Sequence, residues 1–195
     1  MFEAAQRLGQ EVQLSILLRT EGVRVGQKLP GRPRLFLNTH PAEVAAPQLV
    51  PSLQEIRDLA PRQAITIEVH EAAVARIEDL LELRAACREL DMELAYDDFG
   101  AGQARLDELA RVAPDCVKFD MRLVRDLHRA PAERQLVTQR LVDLVRELGI
   151  VPLAEGVENQ AEADACRKAG FELAQGYFFG RPAPLPTGLT ERYGL

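Results

Sequence analysis

Along this chain, six short apolar runs alternate with stretches in which apolar residues recur three and four positions apart. The runs are RLFLN (34–38), AITIE (64–68), ELAYDD (93–98), CVKFD (116–120), VPLAE (151–155) and ELAQ (172–175). Runs this short, bounded by polar residues, Gly or Pro, read as buried strands. The stretches between them carry a helical period. Residues 2–20 (FEAAQRLGQEVQLSILLRT) predict one or two helices broken at Gly9, and SLQEIRDLA (52–60) a short helix ended by Pro61. Residues 72–90 predict an amphipathic helix, LDELARV a short one, and 131–148 a helix with a proline in its first turn and a glycine at its stop. QAEADACRKAG (160–170) predicts another, and the Pro/Gly-rich tail from Gly180 is expected to be loosely ordered.

Strand alternating with helix implies parallel strands joined by right-handed crossovers. In an α/β barrel the C-terminal ends of such strands open onto one face, where active sites lie. Here each run ends in a metal-ligand or acid–base residue: Asn38, Glu68, Asp97 and Asp98, Lys118 and Asp120, Glu155, and Gln175. Five carboxylates, two amides and a lysine aimed at one spot describe a divalent-metal site.

Composition narrows the picture. The 195 residues suffice for one well-buried domain, and 47% apolar with 28% charged residues is ordinary globular usage. A net charge of −6 argues against binding of nucleic-acid polymers, and an anionic ligand would need cations or a local lysine to offset it. The three cysteines, Cys87, Cys116 and Cys166, have no CxxC spacing and read as buried, reduced thiols of a cytoplasmic protein. Three histidines do not build a histidine zinc site, and no apolar run reaches the ~20 residues of a membrane span.

Each motif has a chemical and a structural reading. Adjacent Asp97 and Asp98 can set one carboxylate between two cations and the other on one of them, as two-metal hydrolysis requires; they can also be an Asp-rich turn. Glu68, inside an otherwise apolar strand, is costly unless paired or metal-bound. Glu71, three residues on, suits a loop anchor or an ordinary first-turn glutamate. Lys118, two residues from Asp120 on the same side of a strand, can hold a water or neutralise a phosphate; a structural salt bridge with Asp97 or Asp98 is the alternative. Glu155 is followed by Glu158 with Gly156 between them, and Gln175 adds a neutral oxygen. Tyr177, Phe178 and Phe179 are expected in the core rather than against a ligand. His40 and His70 are expected to face outward or pair locally.

In order and letters these motifs resemble the EAL family of cyclic-di-GMP phosphodiesterases, from about Phe2 to Pro182. LFLNTHP is similar to the family's asparagine strand, IEVHE to its EITE-type segment, DDFGAG to its DDFGTG loop and VKFD to its KID segment. AEGVE and QGYFFGRP match almost letter for letter. The resemblance implies a modified (β/α)8 barrel with two Mg²⁺ or Mn²⁺ ions at its mouth, opening cyclic-di-GMP to linear pGpG. It implies metal ligation by Asn38, Glu68, Asp97 and Asp98, with Lys118 and Glu155 handling the water and its proton. Gln175 and Asp120 would support them, Glu71 would anchor the DDFG loop, and Glu158 would help position the site.

The chain departs from the family in lacking the Glu-Ala-Leu segment whose glutamate is a metal ligand. LSILLRT puts Ser15 in that place, but too close to Asn38; MFEAAQRLG instead matches the helix after that strand. The expected fold is therefore an incomplete barrel of about six parallel strands without the first two, spanning 1–183, followed by a tail at 184–195. Ala101 replaces a threonine in the loop, and GQARL stands for GYSSL. Open barrel edges predict a homodimer or a partner that covers them. Functionally, the sequence admits a weakened two-metal phosphodiesterase, or a catalytically silent receptor for cyclic-di-GMP or a protein partner. An unrelated barrel enzyme acting on another phosphoester would require the motif matches to be accidental.

Overall fold

The computed structural model describes residues 1–70, 76–101 and 106–183. Its elements, in chain order, are α1 (Phe2–Arg7), α2 (Glu11–Gly26), β1 (Leu35–Thr39), α3 (Leu49–Leu59), β2 (Ile65–His70), α4 (Ile77–Glu89), β3 (Glu93–Phe99), α5 (Leu106–Arg111), β4 (Cys116–Phe119), α6 (Met121–Val124), α7 (Ala132–Glu147), β5 (Val151–Ala154), α8 (Gln160–Ala169) and β6 (Leu173–Ala174). The strands follow one another in the sheet in chain order, and β1–β2, β3–β4, β4–β5 and β5–β6 pair in parallel. Among the described residues the sheet has six strands, an incomplete α/β barrel where closure of this type takes eight.

The chain divides into two compact units, Met1–Leu94 with the C-terminal residues from Ala183, and Ala95–Pro182. In the first unit, β2 is buried on both faces: Ile65, Ile67 and Val69 on one, Thr66 and Glu68 on the other. Helix α3 buries Leu49, Leu53 and Ile56, and α4 buries Leu80, Leu83 and Cys87, the i, i+4, i+7 and i, i+3, i+7 spacings of a core-facing stripe. Gly9, at φ +63, separates α1 from α2, as the pattern predicts. Ser15 lies inside α2 and its Oγ accepts from His40 N at 3.2 Å, so LSILLRT is helix rather than strand. Buried Arg19 pairs with buried Glu43 and donates to Ser52 Oγ at 2.8 Å.

In the second unit the core is built on Phe99, Phe119 and Phe171, which meet edge to face at about 5 Å. Helix α7 turns Thr138, Val142 and Val145 inward. Its Pro131 stands at the N-cap rather than in the first turn, and Gly149, at φ +75, follows its end. Helix α8 starts at Asn159, whose side chain accepts from Glu162 N, and stops at Gly170 in the left-handed region. α4 starts at Ile77, later than the pattern suggested; residues 71–75 and the tail from 184 lie outside the described residues. All three cysteines are buried, and no helix of the described residues is long and apolar enough to cross a membrane.

Candidate functional site

The acidic cluster of the second unit arises from an irregularity in β3. Tyr96 pairs with Val117 and Phe99 with Phe119, so β3 carries one residue more than β4 over this stretch. In a regular strand neighbouring side chains point to opposite faces, and Asp97 and Asp98 would diverge. The extra residue is a bulge, and Asp98 adopts φ +58, a left-handed conformation that aspartate tolerates better than most residues. As a result Asp97, Asp98 and Glu155 each offer a carboxylate oxygen within 4.8 Å of the others.

Lys118 sits at the centre of this cluster. It is 4% exposed on β4, with its Nζ 2.8 Å from Asp97 Oδ1 and 3.0 Å from Glu155 Oε1. The structural salt bridge foreseen for this lysine is thus present, with Asp97, and a second carboxylate, Glu155, shares it. Glu155 follows the last residue of β5 and also accepts from Gln175 Nε2 at 2.6 Å. Burial pushes the Glu155 carboxyl up to about 7; the Lys118 ammonium opposes the shift, and Asp97 and Asp98 add to it. Fully ionised, three carboxylates and one ammonium leave two negative charges. An all-oxygen donor set with that charge suits a hard divalent cation such as Mg²⁺, Mn²⁺ or Ca²⁺.

Glycines bring the surrounding backbone close. Gly176 lies against Val157, and a Cβ there would fall 2.2 Å from the Val157 carbonyl oxygen. Gly156, at φ +68, packs on Met121, where a Cβ would meet the Met121 side chain at 2.6 Å. The result is a pocket of about 400 Å³ whose lining includes Asp98, Asp120, Met121, Glu155, Gln175 and Tyr177.

Some expectations need correction. Asp120 does not share the strand with Lys118: β4 ends at Phe119, and Asp120 caps α6, accepting from Arg122 N at 2.8 Å. It still lines the pocket. Tyr177, Phe178 and Phe179 are not core; Tyr177 is 55% and Phe179 58% exposed, and the Arg181 guanidinium lies 4.4 Å from the centre of the Tyr177 ring. Glu158, expected to position the site rather than to line it, pairs with Arg125 at 2.6 Å outside the pocket's lining.

Glu162 carries no mark in the pattern of strand-end residues. It is 2% exposed, and its carboxylate accepts from the backbone N–H groups of Asp126, at 3.0 Å, and Glu158, at 2.8 Å, tying the segment after β4 to the segment after β5. The spacing Asn159-x-x-Glu162 resembles a capping box and was the available signal.

In the first unit, Asn38 and Glu68 are direct cross-strand partners of β1 and β2. Asn38 is exposed and Glu68 is buried, and Arg19 Nη1 reaches Asn38 O at 3.5 Å. His40 caps the turn at Pro41–Glu43 and stacks on Phe2 at 5.1 Å, a local pairing as expected. Glu71 lies outside the described residues.

The family model "EAL domain" matches residues 1–182. Cyclic di-GMP phosphodiesterase PdeB of Shewanella oneidensis is 35% identical over 133 residues, 68% of this chain and 15% of that protein. Cyclic di-GMP phosphodiesterase RocR of Pseudomonas aeruginosa is 29% identical over 86% of this chain and 44% of that protein. This chain thus spans less than half the length of these curated relatives. BlrP1 of Klebsiella pneumoniae, solved as a calcium and cyclic-di-GMP complex, superposes with a TM-score of 0.81 at 31% identity, covering 90% of this chain and 45% of that one.

Proposed function

The chain belongs to the EAL domain family, and on that premise we propose that it binds cyclic-di-GMP together with a divalent cation and hydrolyses the nucleotide slowly to pGpG. The observation that carries the reading is Lys118 bridging Asp97 and Glu155 beside Asp98, in a pocket of about 400 Å³. Asp97 and Asp98 would hold the cation, Mg²⁺ or Mn²⁺, and Asn38 and Glu68 are the further oxygen donors that the resemblance assigns to it. When bound, the cation would supply Lewis-acid polarisation of the phosphodiester and lower the pKa of water.

The chain's own residues would do the rest. In the metal-free chain burial pushes the Glu155 carboxyl up to about 7, a direction that suits a group which would accept and release a proton near neutral pH. Lys118, fixed by two carboxylates, would direct its remaining positive field at the diester oxygens. Gln175 holds Glu155 in place through its amide. Asp120, through the N-cap of α6, and Glu158, through Arg125, would support the backbone around the pocket. Glu71 keeps the loop-anchoring role that the resemblance implies.

These 195 residues contain no Glu-Ala-Leu segment, and hydrolysis by them alone would proceed without one carboxylate of the family's ligand set, which is why turnover is slow in this reading. The same departure favours the second reading, a receptor that binds cyclic-di-GMP without turning it over. Incubation with cyclic-di-GMP and Mn²⁺, following pGpG, separates the two. Slow pGpG formation, abolished by Glu155→Gln and by chelation, supports the enzyme; saturable binding without product supports the receptor. Absence of both binding and product overturns the cyclic-di-GMP assignment.

A further inference from the structure

Two segments that wall the pocket beside Asp98 leave the sheet together and then lose their backbone ties. β4 and β5 pair in register up to Phe119 and Ala154, and Glu155 N donates to Phe119 O at 3.1 Å at the end of that ladder. Beyond it, no backbone hydrogen bond joins residues 120–126 to residues 156–158 among the described residues. Yet these two segments supply touching parts of the pocket wall, Met121 and Gly156. They lie so close that a Cβ on Gly156 would meet the Met121 Cβ at 2.6 Å.

Two side-chain links cross this gap. One is the pair of Arg125 with Glu158 at 2.6 Å, both half-exposed, a contact of the kind that water and salt weaken. The other is the buried Glu162, whose Oε1 accepts from Asp126 N at 3.0 Å and whose Oε2 accepts from Glu158 N at 2.8 Å. Backbone N–H groups meet its charge, and hydrogen bonds to an ionised carboxylate are stronger than neutral ones. A capping glutamate reaches back to the N-cap N–H of its own helix. Glu162 instead passes over Asn159, the N-cap of α8, to Glu158, and its other oxygen holds Asp126, 36 residues away in sequence. That second bond does nothing for the start of α8. Its effect is to fix the distance between the two segments, at a point where Asp126 turns the chain with φ +57.

From this we propose that Glu162 is a positioning residue of the nucleotide pocket: it holds the segments after β4 and β5 at a set separation, and so keeps Met121 against Gly156 in the pocket wall. This rests on the cyclic-di-GMP reading for the identity of the ligand, and on the geometry of Glu162 alone for the place of the wall.

The test compares the full chain with its Glu162→Gln variant, which keeps the size of the side chain but offers one accepting oxygen to two N–H groups. In metal-free and nucleotide-free protein with methyl-labelled methionine, the Met121 resonance is expected to shift while those of Met1 and Met92 stay. The amide of Asp126 or of Glu158 is expected to exchange with solvent at least tenfold faster. With Mn²⁺ present, cyclic-di-GMP should bind the variant at least fivefold more weakly at a temperature where both proteins are folded, and Mn²⁺ alone should bind both within twofold. A carboxylate that serves stability only would lower the melting temperature and leave the Met121 resonance and the affinity unchanged, and that result would overturn the proposal. An unmoved Met121 resonance overturns it whatever the nucleotide does. A shifted Met121 resonance in a chain that binds no cyclic-di-GMP with or without the substitution supports the positioning role and overturns the nucleotide reading instead.

Discussion

Replacing Glu155 by Gln in the metal-free protein should stabilise it at alkaline pH and leave it unchanged in acid. The carboxyl is pushed from its ordinary 4.5 to about 7, with burial as the main cause and the Lys118 ammonium opposing. A folded-state pKa above the unfolded one means that the native state binds more protons between the two values, so stability falls as pH rises through that window. Below pH 4.5 the group is neutral in both states and costs nothing. Above 7 it is ionised in both, and at 1.36 kcal/mol per pKa unit the native protein is then less stable by about 3 kcal/mol. Glutamine keeps the shape and the Gln175 contact without the charge, and Lys118 retains Asp97 at 2.8 Å. In urea melts with chelator present, the variant should match the unchanged protein at pH 4.5 and exceed it by up to about 3 kcal/mol at pH 8. The corresponding gain in Tm at pH 8 is roughly 6–12 °C for a chain of this size. A variant less stable at pH 8 would refute the reasoning, because attraction to Lys118 would then outweigh the cost of burial.

Three further outcomes follow from other parts of the molecule. Glu43→Ala leaves Arg19 buried without its counter-charge and should cost about 3–5 kcal/mol in denaturant melts, while Arg19→Met with Glu43→Leu recovers most of the loss. Gly176→Ala drives a Cβ to 2.2 Å from the Val157 carbonyl, so it should destabilise by more than about 1 kcal/mol and weaken binding at the adjacent pocket, as read by melting and calorimetry. The Cys166 thiol, pushed up to about 11 by burial with a contribution from Glu162, should resist thiol reagents at pH 8 at a rate limited by opening of the fold; rapid labelling of this cysteine in the native state would contradict its burial.

Much of this was legible in the sequence because the signals are local and periodic. Apolar runs of four to six residues fix the parallel strands, and glycines at 9 and 170 mark helix ends where a left-handed residue is required. The residue types at the strand ends named Asp97, Asp98, Lys118 and Glu155 as one group. Their arrangement was not legible, since it depends on register: the extra residue in β3 turns two adjacent aspartates to the same side. Asp120 was misassigned because a four-residue strand followed at once by a capped turn looks, in sequence, like a five-residue strand. Tyr177 to Phe179 were misassigned because hydrophobicity alone does not say where a sheet ends. Glu162 escaped notice because a buried carboxylate satisfied by two backbone N–H groups looks, in sequence, like any polar residue on an exposed helix.

Calorimetric titration of cyclic-di-GMP into the full chain, with and without Mn²⁺, tests the central claim most directly. Saturable binding that tightens at least tenfold with Mn²⁺, and loses that gain when Asp97 and Asp98 are both changed to Asn, is the predicted result. No saturable binding in the presence of Mn²⁺, or a gain that survives in the folded double variant, would contradict it.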